Sequence, residues 1–352
     1  MSRKLATVER ILEINDIPEA DRIQTCKILG WQCVVEKNKY RVSQLVVYVQ
    51  IDSILPERPE FEFLRKDKFR IRTVRLRGQL SQGICFPLDI LPPALKWHIE
   101  ELEKTGYVPA TSILGDIGTP IGIDVTEELG ITKYEAPIPA ELAGDAKGAF
   151  PSFIIITDED RIQILPHIPL EYAGQSFVAT EKLDGSSGTF FWKNGQFGVC
   201  GRNWEYYESL TNSFWKYARQ NFLEEKLGEL GRNLAIQGEI IGEGIQKNKY
   251  KLKGQTFKPF RVFDTDKYEF LSYEEMVEVV VNNFKLQTVP ILDWNYILPS
   301  SVDDILAYAE GKSALNPDAE REGVVFVRYE LKNLGRLSFK AISNAFLLKN
   351  KE

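Results

Sequence analysis

The chain has 352 residues, which is long for one domain of roughly 100–200 residues, so we expect two domains. Two histidines and four scattered cysteines without a Cys-x-x-Cys pair argue against histidine-based catalysis and a zinc site. No apolar run approaches the roughly 20 residues that span a bilayer, and the first residues lack the apolar core of a secretory signal. We therefore expect an intracellular, cytoplasmic monomer that is not in a membrane.

Residues 5–90 contain short Val/Ile-rich segments separated by turns, at 33–36, 44–49, 69–75 and 83–87. Such short strands predict a small antiparallel barrel. A charged helix is expected over 94–104, and an irregular segment follows to about residue 132. We assign residues 1–134 to this first domain, a barrel with a helical appendage.

Residues 135–150 are rich in Pro, Ala and Gly and are interpreted as a linker. From residue 151 onward, strands alternate with helical patterns at 207–230, 272–283 and 302–310. This mixture predicts an α+β domain over residues 151–352, built on antiparallel sheets.

The segment Lys182-Leu183-Asp184-Gly185 follows an apolar, strand-like run at 176–180. Alone it is a weak signal, because the pattern arises by chance in roughly one such chain in ten and a surface turn has the same sequence. Five further motifs follow in order: Cys-Gly-Arg-Asn at 200–203, Gln-Gly-Glu-Ile-Ile-Gly at 237–242, Val-Phe-Asp at 262–264, Glu-Gly-Val-Val at 322–325 and Ser-Phe-Lys at 338–340.

This ordered set resembles the nucleotidyltransferase motifs that ATP-dependent DNA and RNA ligases share with RNA-capping guanylyltransferases. DNA ligases and capping enzymes continue into a C-terminal OB domain, whereas this chain runs only twelve residues beyond Lys340. With its barrel at the N-terminus, the chain resembles the RNA ligases of the Naegleria and Deinococcus type. Segments 52–56 and 75–83 resemble the N-terminal OB domain of that family. The resemblance therefore implies an OB-like barrel followed by an adenylyltransferase domain.

The resemblance implies that Lys182 attacks ATP to form a lysyl-adenylate. Attack requires an unprotonated amine, so we expect the pKa of Lys182 to be lowered from about 10.4 by a metal ion and by Lys340. Asp184 and Glu322 would hold Mg²⁺ or Mn²⁺, through water.

Further residues are implied to bind the nucleotide. Glu239 would bind the ribose hydroxyls, and Arg202 would orient sugar and phosphate. Taken singly, the two glutamates (239 and 322) have an alternative as solvated strand ends, and residue 263 as a core aromatic. The full implied nucleotide set is Arg161 (triphosphate), Glu181, Lys182, Arg202, Glu239, Phe263 and Val325 (either face of adenine) and Lys340.

The last motif departs from the family pattern. Many ligases have Lys-x-Lys there, whereas Ser338 occupies the first place in this chain. Arg336 shares a face with Ser338 and Lys340 if the segment is a strand. We therefore expect Arg336 to supply the missing charge.

Two basic segments are candidate RNA contacts, although the net charge of −6 argues at first against nucleic acid. The first segment has an alternative as a solvated edge strand. The second would form a phosphate-contacting ridge if extended, or else a solvated face. The residues predicted to bind RNA are Arg70, Arg72, Arg75 and Arg77 in the first segment, and Lys249, Lys251 and Lys253 in the second.

The implied reaction has three steps: Lys182 attacks ATP and expels pyrophosphate, AMP passes from Lys182 to an RNA 5′-phosphate, and a 3′-hydroxyl then displaces AMP. The expected substrate is RNA with 3′-hydroxyl and 5′-phosphate ends, held in a nicked duplex, in RNA repair. The nearest alternatives are a DNA ligase and a capping guanylyltransferase. An alternative of another class is an inactive OB-containing RNA-binding protein.

Overall fold

The computed structural model describes residues 3–106, 118–135, 144–328 and 337–350. The chain divides into two compact units. The first unit comprises Met1–Ala136, Gln163–His167 and Leu347–Glu352, and the second comprises Pro137–Ile162 and Ile168–Phe346. Within the described ranges, no helix is both long and apolar enough to cross a membrane.

The first unit is built from short antiparallel strands. They pair in the orders β1-β5-β9, β2-β3-β4, β7-β8 and β10-β6. All five residues of the central strand β5 are buried. The strands are β1 (Ala6–Arg10), β2 (Glu13–Asp16), β3 (Ile23–Ile28), β4 (Trp31–Glu36), β5 (Leu45–Val49), β6 (Ser53–Ile54), β7 (Thr73–Leu76), β8 (Gln79–Gln82), β9 (Ile84–Phe86) and β10 (Thr132–Lys133).

Helix α1 (Pro93–Thr105) lies between β9 and β10 in the chain and is one residue longer at each end than the sequence predicts. A proline opens it, where no backbone donor is needed, and Gly106 ends it in the left-handed conformation. Leu95, Ile99 and Leu102 are buried at a spacing of one helical turn, so one face packs on the unit.

The basic segment 69–75 does not form the single strand predicted. A hairpin of β7 and β8 replaces it, and Arg77 and Gly78 at its tip have φ of 47° and 80°. Two consecutive positive φ values match the right-handed twist of a two-residue hairpin. Arg75 and Arg77 are therefore exposed on a projecting hairpin.

Two antiparallel sheets form the second unit. The larger has the order β11-β15-β14-β13-β16-β17-β18, and the smaller β19-β12-β20-β21. The strands are β11 (Ala146–Ala149), β12 (Ser176–Lys182), β13 (Ser186–Lys193), β14 (Gln196–Cys200), β15 (Trp204–Tyr206), β16 (Leu234–Gly242), β17 (Gln255–Asp264), β18 (Glu269–Phe270), β19 (Ile291–Ile297), β20 (Gly323–Arg328) and β21 (Leu337–Ile342).

The predicted linker 135–150 contains strand β11, which pairs with β15, while residues 136–143 lie outside the described residues. The single helix predicted over 207–230 is two helices, because Phe222 between them has a φ of 55°. Asn212 caps the first of the two by accepting from two backbone N–H groups. The helices are α2 (Ile168–Tyr172), α3 (Ser213–Gln220), α4 (Leu223–Glu229), α5 (Tyr273–Val277), α6 (Val302–Ala309) and α7 (Asn344–Asn350).

At Gly185 the chain leaving β12 passes close to β16. A Cβ atom there would lie 2.4 Å from the carbonyl oxygen of Ile240 and 2.9 Å from Cγ of Glu239. Only glycine permits this approach. It brings the end of β12, in the smaller sheet, against the glutamate of β16, in the larger.

Candidate active site

Lys182 is the last residue of β12 and pairs in register with Gly323, the residue after Glu322. Its Nζ lies 2.6 Å from Oε1 of Glu322. Burial lowers the pKa of Lys182, but the Glu322 and Glu239 carboxylates outweigh it, so the pKa is raised above its usual range. The expected lowering of this pKa requires a metal ion and stays a prediction, because without one the two carboxylates outweigh both burial and the charge of Arg202.

Glu239 and Glu322 are not solvated strand ends. Glu239 Oε1 accepts a hydrogen bond of 3.1 Å from the backbone of Gly185. Burial raises the pKa of Glu239 to about 7, against the opposing charge of Lys182. The side chain of Glu322 is 12% exposed, and its Oε2 is buried without a hydrogen-bond partner among the described residues. One acceptor therefore remains for a ligand.

A second group of charges surrounds Lys340 on β21. Its Nζ lies 2.9 Å from Asp158 Oδ1, and Arg202 Nη2 lies 3.2 Å from Asp158 Oδ2. The backbone N–H of Lys340 donates to the carbonyl of Asp160 at 2.8 Å, and Arg161 forms a parallel β-bridge with Lys340. Burial lowers the pKa of Lys340 to about 8, assisted by the charges of Arg161 and Lys182. One carboxylate thus holds two cations predicted to meet phosphate.

Asp184 pairs with Lys249, and its backbone N–H donates to Tyr250 Oη at 2.8 Å. This contact overturns the predicted ridge of alternating lysines. Lys247 and Lys251 have φ of 57° and 54°, so the segment is not extended. The side chain of Lys249 therefore turns into the site, where its Nζ also lies 4.1 Å from the ring centroid of Phe346.

The carboxylates fit a divalent cation bound through water. Oxygen ligands suit Mg²⁺ and Mn²⁺, and Mg²⁺ keeps several of its waters when one or two carboxylates bind it. In the described parts of the chain, no group of three or more His, Cys, Asp or Glu side chains is arranged to hold a metal directly. The unpartnered Oε2 of Glu322 is the acceptor that a metal-bound water needs.

Phe263 lies outside this group of residues. It is fully buried in an apolar cluster with Phe191 and Ala235, and its ring centroid lies 5.0 Å from that of Phe270. A ring without exposed surface presents no face to adenine, so stacking is wrong in this conformation and Phe263 is a core aromatic. Val325 is half-buried and pairs in register with Lys340 and, across the sheet, with Thr180.

Glu181 points away from Lys182, as neighbours in a strand do. It is buried, and its Oε2 accepts from the backbone of Ala314 at 2.8 Å. Burial raises its pKa. Its proposed contact with the nucleotide therefore depends on Oε1, which is buried without a hydrogen-bond partner among the described residues.

The predicted RNA-binding arginines separate into two kinds. Arg70 lies 3.6 Å from Asp52 and 3.5 Å from the ring centroid of Tyr134, and Arg72 is half-buried. Arg75 and Arg77 are exposed on the β7–β8 hairpin. Arg336 lies outside the described residues.

Sequence reasoning missed several residues of the site. Asp158, Tyr250 and Arg261 belong to none of the motifs, and their contacts join residues far apart in the chain. The run Asp158-Glu159-Asp160, three acids just before Arg161, was the available signal.

Two antiparallel sheets that meet at a reactive lysine, with a separate small barrel, define a covalent nucleotidyltransferase with an appended OB-like module. Family models agree: an OB-fold domain matches residues 5–88 and RNA ligase matches residues 175–342. A search of curated proteins gives no match.

Solved structures of a Naegleria gruberi RNA ligase are similar over the whole chain. Its complex with PPi is 44% identical, with a TM-score of 0.85 and 99% of both chains covered. A mutant with AMP and Mn is 43% identical, with a TM-score of 0.85 and 99% of both chains covered. A mutant with ATP and Mn is 42% identical, with a TM-score of 0.84 and the same coverage. The chain belongs to this family of RNA ligases, which confirms the predicted fold class and the predicted family.

Proposed function

We propose that this protein is an ATP-dependent RNA ligase that joins 3′-hydroxyl and 5′-phosphate ends through a lysyl-AMP on Lys182 and an RNA-adenylate. The observation that carries the proposal is that Lys182 lies 2.6 Å from Glu322. Glu239 is near enough to raise the pKa of Lys182, and Lys182 is near enough to lower the pKa of Lys340. A binding module has no use for such an arrangement. The family match supports the same activity.

In this proposal, Asp184 and Glu322 hold the divalent cation, Mg²⁺ or Mn²⁺, through water. A bound cation supplies positive charge to the α-phosphate in the transition state. Once its ammonium has given a proton to solvent and left Glu322, Lys182 would attack the α-phosphate, forming the N–P bond as pyrophosphate departs. Glu239, whose pKa is raised to about 7, binds the ribose hydroxyls.

The phosphates are proposed to bind where Asp158 now meets Lys340 and Arg202, because phosphate oxygens make the same charged contacts as a carboxylate. Arg161 forms a backbone β-bridge with Lys340 and is proposed to contact the triphosphate. Val325 supports adenine from one side, and Glu181 completes the nucleotide site.

The RNA is proposed to be a nicked duplex bound by a monomer during RNA repair inside the cell. The exposed Arg75 and Arg77, together with Arg70 and Arg72 of the same segment, would contact phosphates. Lys251 and Lys253 are also exposed. All four cysteines are free and buried, which fits a reducing compartment.

The adenylation step is tested with α-labelled ATP and Mn²⁺ or Mg²⁺, followed by denaturing electrophoresis. The native chain and Lys193→Ala are expected to carry label, since Lys193 pairs with Asp266 outside the site. Lys182→Ala is expected to carry none. Labelled Lys182→Ala protein would overturn the assignment of the nucleophile.

Substrate class is tested by sealing nicks whose 3′ end is ribose or deoxyribose, with ATP or GTP as cofactor. The proposal expects sealing with ATP and a preference for a 3′-terminal ribose. Equal sealing of an all-DNA nick would favour a DNA ligase. Label transfer from GTP to an RNA 5′ end would favour a capping enzyme.

A further inference from the structure

Arg261, Glu159 and Ser338 form a closed polar group beside Lys340. The guanidinium of Arg261 pairs with Glu159, and its Nη2 donates to Ser338 Oγ at 3.2 Å. Ser338 Oγ in turn donates to Glu159 Oε2 at 2.5 Å. The side chains of Arg261 and Glu159 are 8% and 15% exposed. None of the three belongs to the nucleotide contacts proposed above.

Burial makes this group costly unless its members satisfy one another. A guanidinium remains charged at any accessible pH, so a buried arginine needs a partner. Arg261 also lies 4.9 Å from the ring centroid of Phe270, which fixes its plane. A register shift between Gln237 and Gly238 on β16 lies beside Arg261, and such shifts redirect side chains. The contacts with Glu159, Ser338 and Phe270 therefore hold the guanidinium of Arg261 at this place in the sheet.

Consecutive acids connect this group to the phosphate site. Ser338 and Lys340 are two residues apart on β21, so their side chains share one face. Glu159 meets Ser338, while its neighbour Asp158 meets Lys340 and Arg202. Because these residues are consecutive or nearly so in the chain, contacts that fix Glu159 also restrict the positions of Asp158 and Arg161.

Position 261 carries a positive charge and position 338 does not, so the group contains one cation. A lysine at 338 would place a second cation next to Arg261 and would remove the hydroxyl that joins Arg261 to Glu159. A serine instead accepts from Arg261 and donates to Glu159.

We propose that Arg261 is a positioning residue for adenylyl transfer, which supplies from β17 the cation absent at Ser338 and holds the segment from Asp158 to Arg161 against Lys340. This inference rests on the proposed function of the site. It replaces Arg336 as the source of the missing charge.

The test compares Arg261→Gln, Ser338→Lys and the double variant in single-turnover adenylation over a range of ATP concentrations. Arg261→Gln is expected to lower the rate at saturating ATP by about tenfold or more, the effect of losing a charged hydrogen bond. Ser338→Lys alone is expected to be slow as well, because it places a cation beside Arg261 and removes the hydroxyl that joins Arg261 to Glu159. The double variant is expected to recover most of the native rate.

Arg232→Gln is the matched control, because Arg232 pairs with Asp264 away from Lys340 and its loss should leave the rate unchanged. Thermal melting identifies variants that do not fold. A double variant no faster than Arg261→Gln, or an Arg261→Gln rate equal to the native rate, would overturn the proposal.

If Arg261→Gln does not fold, Ser338→Lys alone tests the proposal. Slower adenylation would support the role of Arg261 as the cation of this group, and an unchanged rate would contradict it. Failure of the proposed function would look different, since the native chain itself would then take no label.

Discussion

Among the described Asp, Glu, Lys and Arg residues, the first unit buries Glu9, whereas the second unit buries Arg161, Glu181, Lys258, Arg261 and Asp264. The first unit instead exposes its basic hairpin at Arg75 and Arg77. Burying charge costs free energy, but charges aimed at a reacting phosphate act more strongly away from water. Charges that track an RNA backbone work from the surface. The two units thus use charge for different purposes, and each use makes a separate prediction.

The largest effect should follow from removing one buried carboxylate of the second unit. Glu322→Gln deletes both the partner of Lys182 and an acceptor for metal-bound water, so adenylation should fall by about 100-fold, as when an outer ligand of a metal is lost. Single-turnover labelling measures this rate. Glu269→Gln, on exposed β18, serves as the control. A rate within threefold of the native enzyme would show that buried charge is not what the second unit needs for chemistry.

The next effect is on stability and depends on pH. The folded protein raises the pKa of Glu239 to about 7 from an unfolded value near 4.5, so it binds this proton more tightly than the unfolded chain does. Stability is therefore lost as the pH rises through this range. Glu239→Gln should gain on the order of 3 kcal/mol relative to the native protein at pH 8, and much less at pH 5.

Urea unfolding at the two pH values measures this difference. The variant should lose adenylation while it gains stability, as expected for a carboxylate kept for function. A pH-independent difference between variant and native protein would mean that Glu239 is not held in a desolvated position.

The smallest effect should come from the surface of the first unit. Replacing Arg75 and Arg77 together with alanine should weaken RNA binding by a few-fold and lower the salt dependence of binding by about two ions. Adenylation with ATP alone should not change. Arg22 and Arg41, also exposed in this unit, provide a matched double variant. Slower adenylation with unchanged RNA binding would reverse the division of roles between the two units.

Local patterns predicted much of the fold. The charged segment 94–104 was predicted to be a helix, and the structure adds its reasons: buried residues spaced by one turn, an opening proline and a closing glycine. The prediction of a single helix over 207–230 was wrong at its centre. Phe222 adopts a left-handed conformation that interrupts the helix, and no glycine marks this position in the sequence. The strand predicted at 69–75 failed at its start for a similar reason, since Phe69 has a φ of 58° and the strand begins only at Thr73.

The site was predictable only as a set of motifs. Lys182, Glu239, Glu322 and Lys340 were found because each lies in a short recognisable segment. Their partners were not, because ion pairs join residues of any separation: Lys249 and Asp184 are 65 residues apart and Asp158 and Lys340 are 182 apart. Phe263 could have been a core aromatic or an adenine-stacking residue. The outcome depends on neighbours such as Phe191, which lies far away in the chain.

The ion pair between Lys182 and Glu322 also bears on chemical selectivity in the cell. Free amines react with aldehydes, reactive esters and other electrophiles, but an ammonium ion does not. Because the carboxylates keep Lys182 protonated, its amine is shielded from such side reactions until nucleotide binding changes its surroundings. Lysine-directed covalent reagents should therefore label the exposed lysines first and Lys182 last.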